Sequence, residues 1–178
     1  MANEGVTIYF VRHGETYLNH YGRMQGWSNA PLTDNGIEDV HRCGRGLADV
    51  KFDAVYTSDL TRTQDTAGII LEENGQADNL TMVQMPEFRE VFFGSYEGMF
   101  GSEAWGSVAK HMGYETTQDM FMNTDIPARM NAFREADPYH DAENFMMFWD
   151  RVEKGLIKLI DKHRDSGETI LLVAHGGT

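Results

Sequence analysis

Two apolar runs, one near each end of the chain, stop at a histidine followed by glycine. The first, Val6-Thr7-Ile8-Tyr9-Phe10-Val11, leads into Arg12-His13-Gly14-Glu15-Thr16. The second, Thr169-Ile170-Leu171-Leu172-Val173-Ala174, leads into His175-Gly176-Gly177-Thr178. Short apolar runs of this kind read as buried strands. Strands apolar on both faces need cover on both sides, which a parallel sheet between helices supplies. In open α/β sheets, ligands bind in the crevice outside the carboxyl ends of the strands. If the two strands are parallel neighbours, their imidazoles face each other across one pocket.

Between these runs the pattern alternates. Thr33 or Asp34 can cap a helix in which Ile37, Val40, Gly44, Leu47 and Ala48 recur at helical spacing. Cys43 lies near that face and reads as a buried, inert thiol. Phe52–Thr57 is a second strand, after which Ser58 or Asp59 caps a helix ending at Gly75. Thr81–Gln84 is a short third strand, and 86–98 is irregular, with Pro86, Gly94 and Gly98. Residues 99–140 carry weak patterning and predict two or three short helices in an insertion. Glu143–His163 is the clearest helix, with Phe145, Phe148, Trp149, Val152, Leu156, Leu159 and Ile160 in one apolar stripe. The expected fold is α/β, a three-layer sandwich with a mostly parallel central sheet and helices on both faces. At 178 residues the chain reads as a single domain, 1–178.

Fifteen basic against 28 acidic residues give a formal net charge of −13. Nucleic acid and anionic membrane both demand a basic footprint, so neither is an expected partner. Affinity for a phosphate would have to come from a local cluster of cations. The single cysteine excludes an intrachain disulfide. With no basic, apolar leader and no long apolar run, a cytoplasmic location is expected. The sequence has no His-Glu-x-x-His, cysteine pair, Asp-rich loop or Gly-x-x-x-x-Gly-Lys loop, so no metal and no cofactor is expected.

Arg12-His13-Gly14-Glu15-Thr16 and Ala174-His175-Gly176-Gly177 occur together with Asn19, Arg23-Met24-Gln25-Gly26 and Pro31-Leu32-Thr33. Ser58-Asp59-Leu60-Thr61-Arg62-Thr63 and Arg89-Glu90 complete the set. In these motifs, which span nearly the whole chain, the sequence resembles the histidine phosphatase (phosphoglycerate mutase-like) superfamily. The resemblance implies that His13 becomes phosphorylated and that His175 donates to the transferring oxygens. It also implies that Glu90 protonates the leaving group and that Asn19 and Gln25 contact bound phosphate. It does not name the substrate, for which a small phosphorylated metabolite is the expectation.

The residue types suit that chemistry. Arginine offers phosphate a rigid, permanently charged fork, which Arg12 and Arg62 can supply. Arg62 falls in a first helical turn, where free N–H groups also favour an anion. Histidine attacks phosphorus only as the neutral ring. A leaving alkoxide needs a carboxylic acid of raised pKa, and the phenylalanines around Glu90 would desolvate it. Glu97 competes for that role, while Glu15 suits an orienting partner. A mutase would use the same apparatus but should bind a substrate carboxylate, for which the insertion offers only Arg129 and Arg134. A non-catalytic phosphate-binding module is the third reading.

Gly176-Gly177-Thr178 has the form of a strand-to-helix turn with Thr178 as N-cap. In the resembling family a helix and usually an edge strand follow. The 178-residue chain is therefore expected to leave an apolar strip of the sheet uncovered and to associate through it, a homodimer being the simplest case.

Overall fold

The computed structural model describes residues 5–178. Its strands are β1 (Thr7–Arg12), β2 (Ala54–Thr57), β3 (Met82–Gln84) and β4 (Thr169–Ala174). They form one parallel sheet in the order β1-β4-β2-β3. The last strand thus lies between the first two, with Arg12 in register with Ala174. That placement explains its composition, since Ile170 to Ala174 are all fully buried.

The helices are α1 (Tyr17–His20), α2 (Asp34–Gly46), α3 (Thr61–Glu73), α4 (Gly101–His111), α5 (Thr117–Asn123), α6 (Ile126–Ala136) and α7 (Phe145–His163). Short 3-10 turns, Pro86–Phe88 and Gly94–Tyr96, occupy the irregular stretch. The chain divides into two compact units, one of residues 5–17, Asn29–Glu90 and Val152–Thr178, the other of Leu18–Ser28 and Val91–Arg151.

In the first unit, alternate strand residues point to opposite faces. Val55, Leu171 and Val173 pack with Val40 of α2 and with Ala67, Ile70 and Leu71 of α3. Tyr56, Ile170, Leu172 and Ala174 pack on the other face with Leu159 of α7 and with Phe88. This is the expected three-layer arrangement. Thr33 caps α2, its hydroxyl oxygen accepting from the Gly36 N–H at 2.9 Å. For α3 the expected cap differs: Leu60 is the N-cap and has no side-chain cap bond. Ser58 is instead buried and turned toward His175. Helix α3 stops before Gly75, whose φ is +72°.

The buried line of α7 is also rotated from the expected stripe. Phe148, Val152, Gly155, Leu159 and His163 are buried, whereas Trp149 and Ile160 are 43% and 45% exposed. Gly155 explains the rotation, because a Cβ there would lie 2.7 Å from the Cβ of Glu87. The missing side chain lets the helix seat on this line. On the α7 face of the sheet, Phe10 is 49% exposed, and Ile157 of α7 is 53% exposed. No helix among the described residues is long and apolar enough to cross a membrane.

The second unit contains α4, α5 and α6, as expected of the insertion. Its core gathers Met24, Tyr96, Val108, Met120 and Phe133. Phe93, Tyr96 and Trp105 surround the Phe133 ring at centroid distances of 5.3, 5.4 and 4.5 Å. Several of the insertion's methionines and aromatics therefore form its own core.

Candidate active site

His13 follows the last residue of β1 and is buried. Its Nδ1 lies 2.7 Å from the carbonyl oxygen of Gly14. A carbonyl only accepts, so Nδ1 carries the hydrogen and Nε2 holds the lone pair of the neutral ring. Burial pushes the His13 pKa down from 6.5 to about 4. The Gly14 hydrogen bond opposes that shift, and the positive charges of Arg62 and Arg12 add to it. Gly14 is itself held from the other side, its N–H donating to Thr66 Oγ1 of α3 at 3.0 Å. A Cβ on Gly14 would approach Val40 Cγ2 to 2.7 Å, so α2 can pack here only against glycine.

His175 follows β4 and is also buried. Because β1 and β4 are paired neighbours, the two rings meet, with centroids 5.2 Å apart and planes at 61°. The His175 Nε2 lies 2.7 Å from Ser58 Oγ. Arg62, in the first turn of α3, is completely buried. A cation so placed, beside a neutral imidazole, favours an anionic ligand. Arg12 ends β1 and is exposed, and the Cβ position of Gly176 lies 3.4 Å from its Nε. The structure thus brings His13, His175, Arg12 and Arg62 to one end of the sheet.

Glu90 belongs to the same unit and accepts from the Gly177 N–H through Oε2 at 3.1 Å. It is carried by a loop that is clamped just before it. Arg89 donates to both carboxylate oxygens of Asp59, at 2.7 Å through Nε and 2.5 Å through Nη2. Glu97 sits in the second unit and does different work. Its oxygens accept from the N–H groups of Gly26, Trp27, Ser28 and Phe93 at 3.0–3.1 Å, and from Ser28 Oγ at 2.6 Å. Every one of these contacts uses it as an acceptor. Glu15 accepts from Thr33 Oγ1 at 2.7 Å, which ties it to the α2 cap.

Asn19 and Gln25 fall in the second unit. Asn19 lies in α1, and its carbonyl accepts from the Gly22 N–H at 2.9 Å. Gln25 is buried and donates to the Ser28 carbonyl at 3.3 Å. No cluster of His, Cys, Asp and Glu suited to a metal occurs among the described residues. His163 is buried between Tyr56 OH at 2.7 Å and Glu168 Oε2 at 2.5 Å, away from the histidine pair in sequence and partners.

Thr66 goes unnamed in the sequence reading, while Thr63, Asp59 and Arg89 stand there only as members of motifs, with no supporting role at the site assigned to them. Thr63 and Thr66 follow Arg62 at offsets that return their hydroxyls to the first turns of α3. That i−3 and i−4 back-bonding habit of helical threonine was the available signal. Nothing in sequence marked Arg89 as the partner of Asp59, 30 positions away.

Residues 8–178 match the family described as "Histidine phosphatase superfamily (branch 1)". A 2,3-bisphosphoglycerate-dependent phosphoglycerate mutase of Allorhizobium ampelinum is 34% identical over 111 residues, which are 60% of this chain and 52% of that protein. The chain thus spans about half the length of that curated relative. Among solved structures, phosphoglycerate mutase from Bacillus anthracis str. Sterne aligns with a TM-score of 0.93 at 32% identity, covering 99% of this chain and 78% of the other. The alpha-ribazole phosphatase from Shigella flexneri aligns with a TM-score of 0.71 at 31% identity, covering 94% and 73%.

Proposed function

The chain belongs to the histidine phosphatase superfamily, and from that membership and the geometry above we propose that it hydrolyses phosphomonoesters of small metabolites through a phosphohistidine on His13. The observation that carries this reading is the state of His13. Its Nδ1–H is anchored on the Gly14 carbonyl and its ring is kept neutral by burial, with a pKa of about 4, so Nε2 keeps its lone pair.

In the first step Nε2 attacks phosphorus and the ester P–O bond breaks. Glu90, as the acid, gives its proton to the departing alkoxide, which leaves as the alcohol. Arg12 and Arg62 bind the phosphoryl oxygens, and His175 supports the charge that develops on them. In the second step Glu90, now a carboxylate, takes a proton from water as its oxygen attacks phosphorus. The N–P bond breaks, inorganic phosphate leaves, and His13 and Glu90 return to their starting states. Glu90 suits the acid role better than Glu97 because it belongs to the unit that carries His13 and His175, whereas both oxygens of Glu97 accept from several donors of the other unit.

The mutase name of several relatives supports a second reading, in which the phosphoryl group returns to another oxygen of a phosphoglycerate. Two contacts favour hydrolysis. Arg129 donates to the Thr124 carbonyl at 2.5 Å and Arg134 to the Ala142 carbonyl at 2.7 Å, so both arginines of the insertion serve their own unit. The test is a panel of phosphomonoesters including 3-phosphoglycerate, with phosphate release, isomerisation and acid-labile phosphoprotein followed together. Phosphate release through a phosphorylated His13 is expected. Isomerisation without release would establish the mutase reading, and absence of phosphoprotein with every ester would leave a binding module.

A further inference from the structure

We propose that Ser58, backed by Thr63, is a positioning residue that fixes which ring nitrogen of His175 carries its hydrogen; the kinetic consequence rests on the phosphatase reading, the geometry does not. Ser58 and Thr63 are fully buried, and His175 nearly so. Thr63 Oγ1 lies 2.8 Å from the Leu60 carbonyl, 3.1 Å from the Ser58 carbonyl and 2.9 Å from Ser58 Oγ. It owns one hydrogen, and carbonyls only accept. That hydrogen therefore goes to a carbonyl, and the 2.9 Å contact between the two hydroxyl oxygens then holds a hydrogen only if Ser58 donates to Thr63 Oγ1.

The single hydrogen of Ser58 is then spent on Thr63. Its oxygen accepts from the Leu60 N–H at 3.3 Å and from His175 Nε2 at 2.7 Å. The reverse assignment has Thr63 donating to Ser58 and Ser58 donating to His175. It leaves two oxygens, Thr63 Oγ1 and the Leu60 carbonyl, 2.8 Å apart with no hydrogen between them. A buried site gives that repulsion no water to relieve it. So His175 carries its hydrogen on Nε2.

The two facing rings are thus held in opposite tautomers. His13 anchors Nδ1–H and presents Nε2; His175 anchors Nε2–H, and Nδ1 is the nitrogen that can gain a proton. This difference suits their different work. A nucleophile needs a lone pair, whereas a donor to phosphoryl oxygen needs a second N–H. A monoanionic phosphate ester can supply that proton to Nδ1, becoming the dianion. The resulting imidazolium then donates to Ser58 through one nitrogen and to a phosphoryl oxygen through the other.

The test reads the ring directly. In protein labelled with 15N histidine, long-range 1H–15N correlations at pH 8 distinguish the tautomers, and a His175→Gln spectrum assigns the signals. The Nε2–H pattern is expected for His175 in the unaltered protein. Ser58→Ala and Thr63→Val should erode that pattern. Ser58→Ala should also lower kcat roughly tenfold, the worth of one hydrogen bond, with a smaller change in KM. Ser58→Thr, which keeps the hydroxyl, should restore pattern and rate. An Nδ1–H pattern in the unaltered protein would overturn the proposal, as would an unchanged pattern in Ser58→Ala. Absence of phosphohistidine would instead count against the phosphatase reading, since the spectrum is taken without substrate.

Discussion

Only a neutral imidazole can attack phosphorus, and burial keeps His13 neutral over most of the pH range. In the proposed mechanism the Gly14 carbonyl decides which nitrogen attacks, and burial keeps that nitrogen unprotonated. His13→Ala should therefore abolish turnover, and residual phosphoprotein in that variant would refute the assigned nucleophile. His175→Ala removes stabilisation rather than the attacking atom, so a residual rate on the order of 10²–10³ below normal is expected. The depressed pKa of His13 also links folding to pH. Its folded value, about 4, lies below the unfolded value of 6.5, so between these the unfolded chain binds more protons. Stability from this group is complete above pH 6.5 and is lost as pH falls toward 4, by about 3 kcal/mol in all. Urea unfolding of His13→Gln should lack that component, and an identical pH dependence in both proteins would show that His13 titrates normally. Glu90→Gln should damage hydrolysis of alkyl phosphates far more than that of p-nitrophenyl phosphate, whose leaving group scarcely needs a proton. Phosphoprotein formation in a rapid quench is the measurement, and equal losses on both esters would move the acid elsewhere.

Among the elements, the second unit depends on carboxylates as much as on its apolar core. Glu97 gathers the loop around Gly26, Glu143 accepts from the Phe92 N–H and pairs with Arg151, and Asp137 holds the turn after α6. Asp137 is fully buried and accepts from Ser95 Oγ at 2.6 Å and from the N–H groups of Tyr139, Asp141 and Ala142 at 3.0–3.1 Å. Burial alone would raise its pKa, but these hydrogen bonds together hold it down to about 2. Its contribution is thus present above the unfolded value of 3.8 and lost as pH falls through the folded one. Asp137→Ala should destabilise by on the order of 3 kcal/mol at neutral pH, because several buried donors lose their acceptor. Chemical denaturation at pH 7 measures it, and a loss under about 1 kcal/mol would mean that water replaces the carboxylate. These clamps also mark where the sequence ceased to be readable. The strand–histidine junctions announce themselves through apolar runs and the α2 cap is narrowed to Thr33 or Asp34, whereas the weakly patterned insertion yields only two or three short helices without bounds. The pairing of Asp137 with the N–H of Ser95, or of Glu97 with the N–H of Gly26, joins residues 42 and 71 positions apart. Backbone donors have no side-chain signature, so such pairs become visible only once the chain is folded. The rotated face of α7 was missed for a related reason: Gly155 contributes through the side chain it lacks.

At the scale of the molecule, strand order decides how the first unit should open. Strand β4 has a neighbour on each side and layers above and below it, with Ile170 to Ala174 fully buried. Exchange of its amides therefore requires separating β1 from β2 and exposing both layers at once. Strand β3 has three residues at the sheet's edge, with Val83 40% exposed. Edge β1 is longer but only half covered at Phe10. Local opening costs little where few apolar contacts are lost, so protection should rise from β3 through β1 to β4. Peptide-resolved hydrogen exchange at neutral pH should find Leu171 to Val173 the slowest in this unit. Leu172→Ala, which removes buried side-chain volume from the α7 face, should cost about 2–5 kcal/mol. If β4 opens only with the whole unit, that loss should appear in full in its exchange rates. If β3 and β1 open locally, their rates should change less. Equal acceleration of all three strands would mean that the sheet opens as one cooperative body, and faster exchange in β4 than in β3 would contradict the central placement itself.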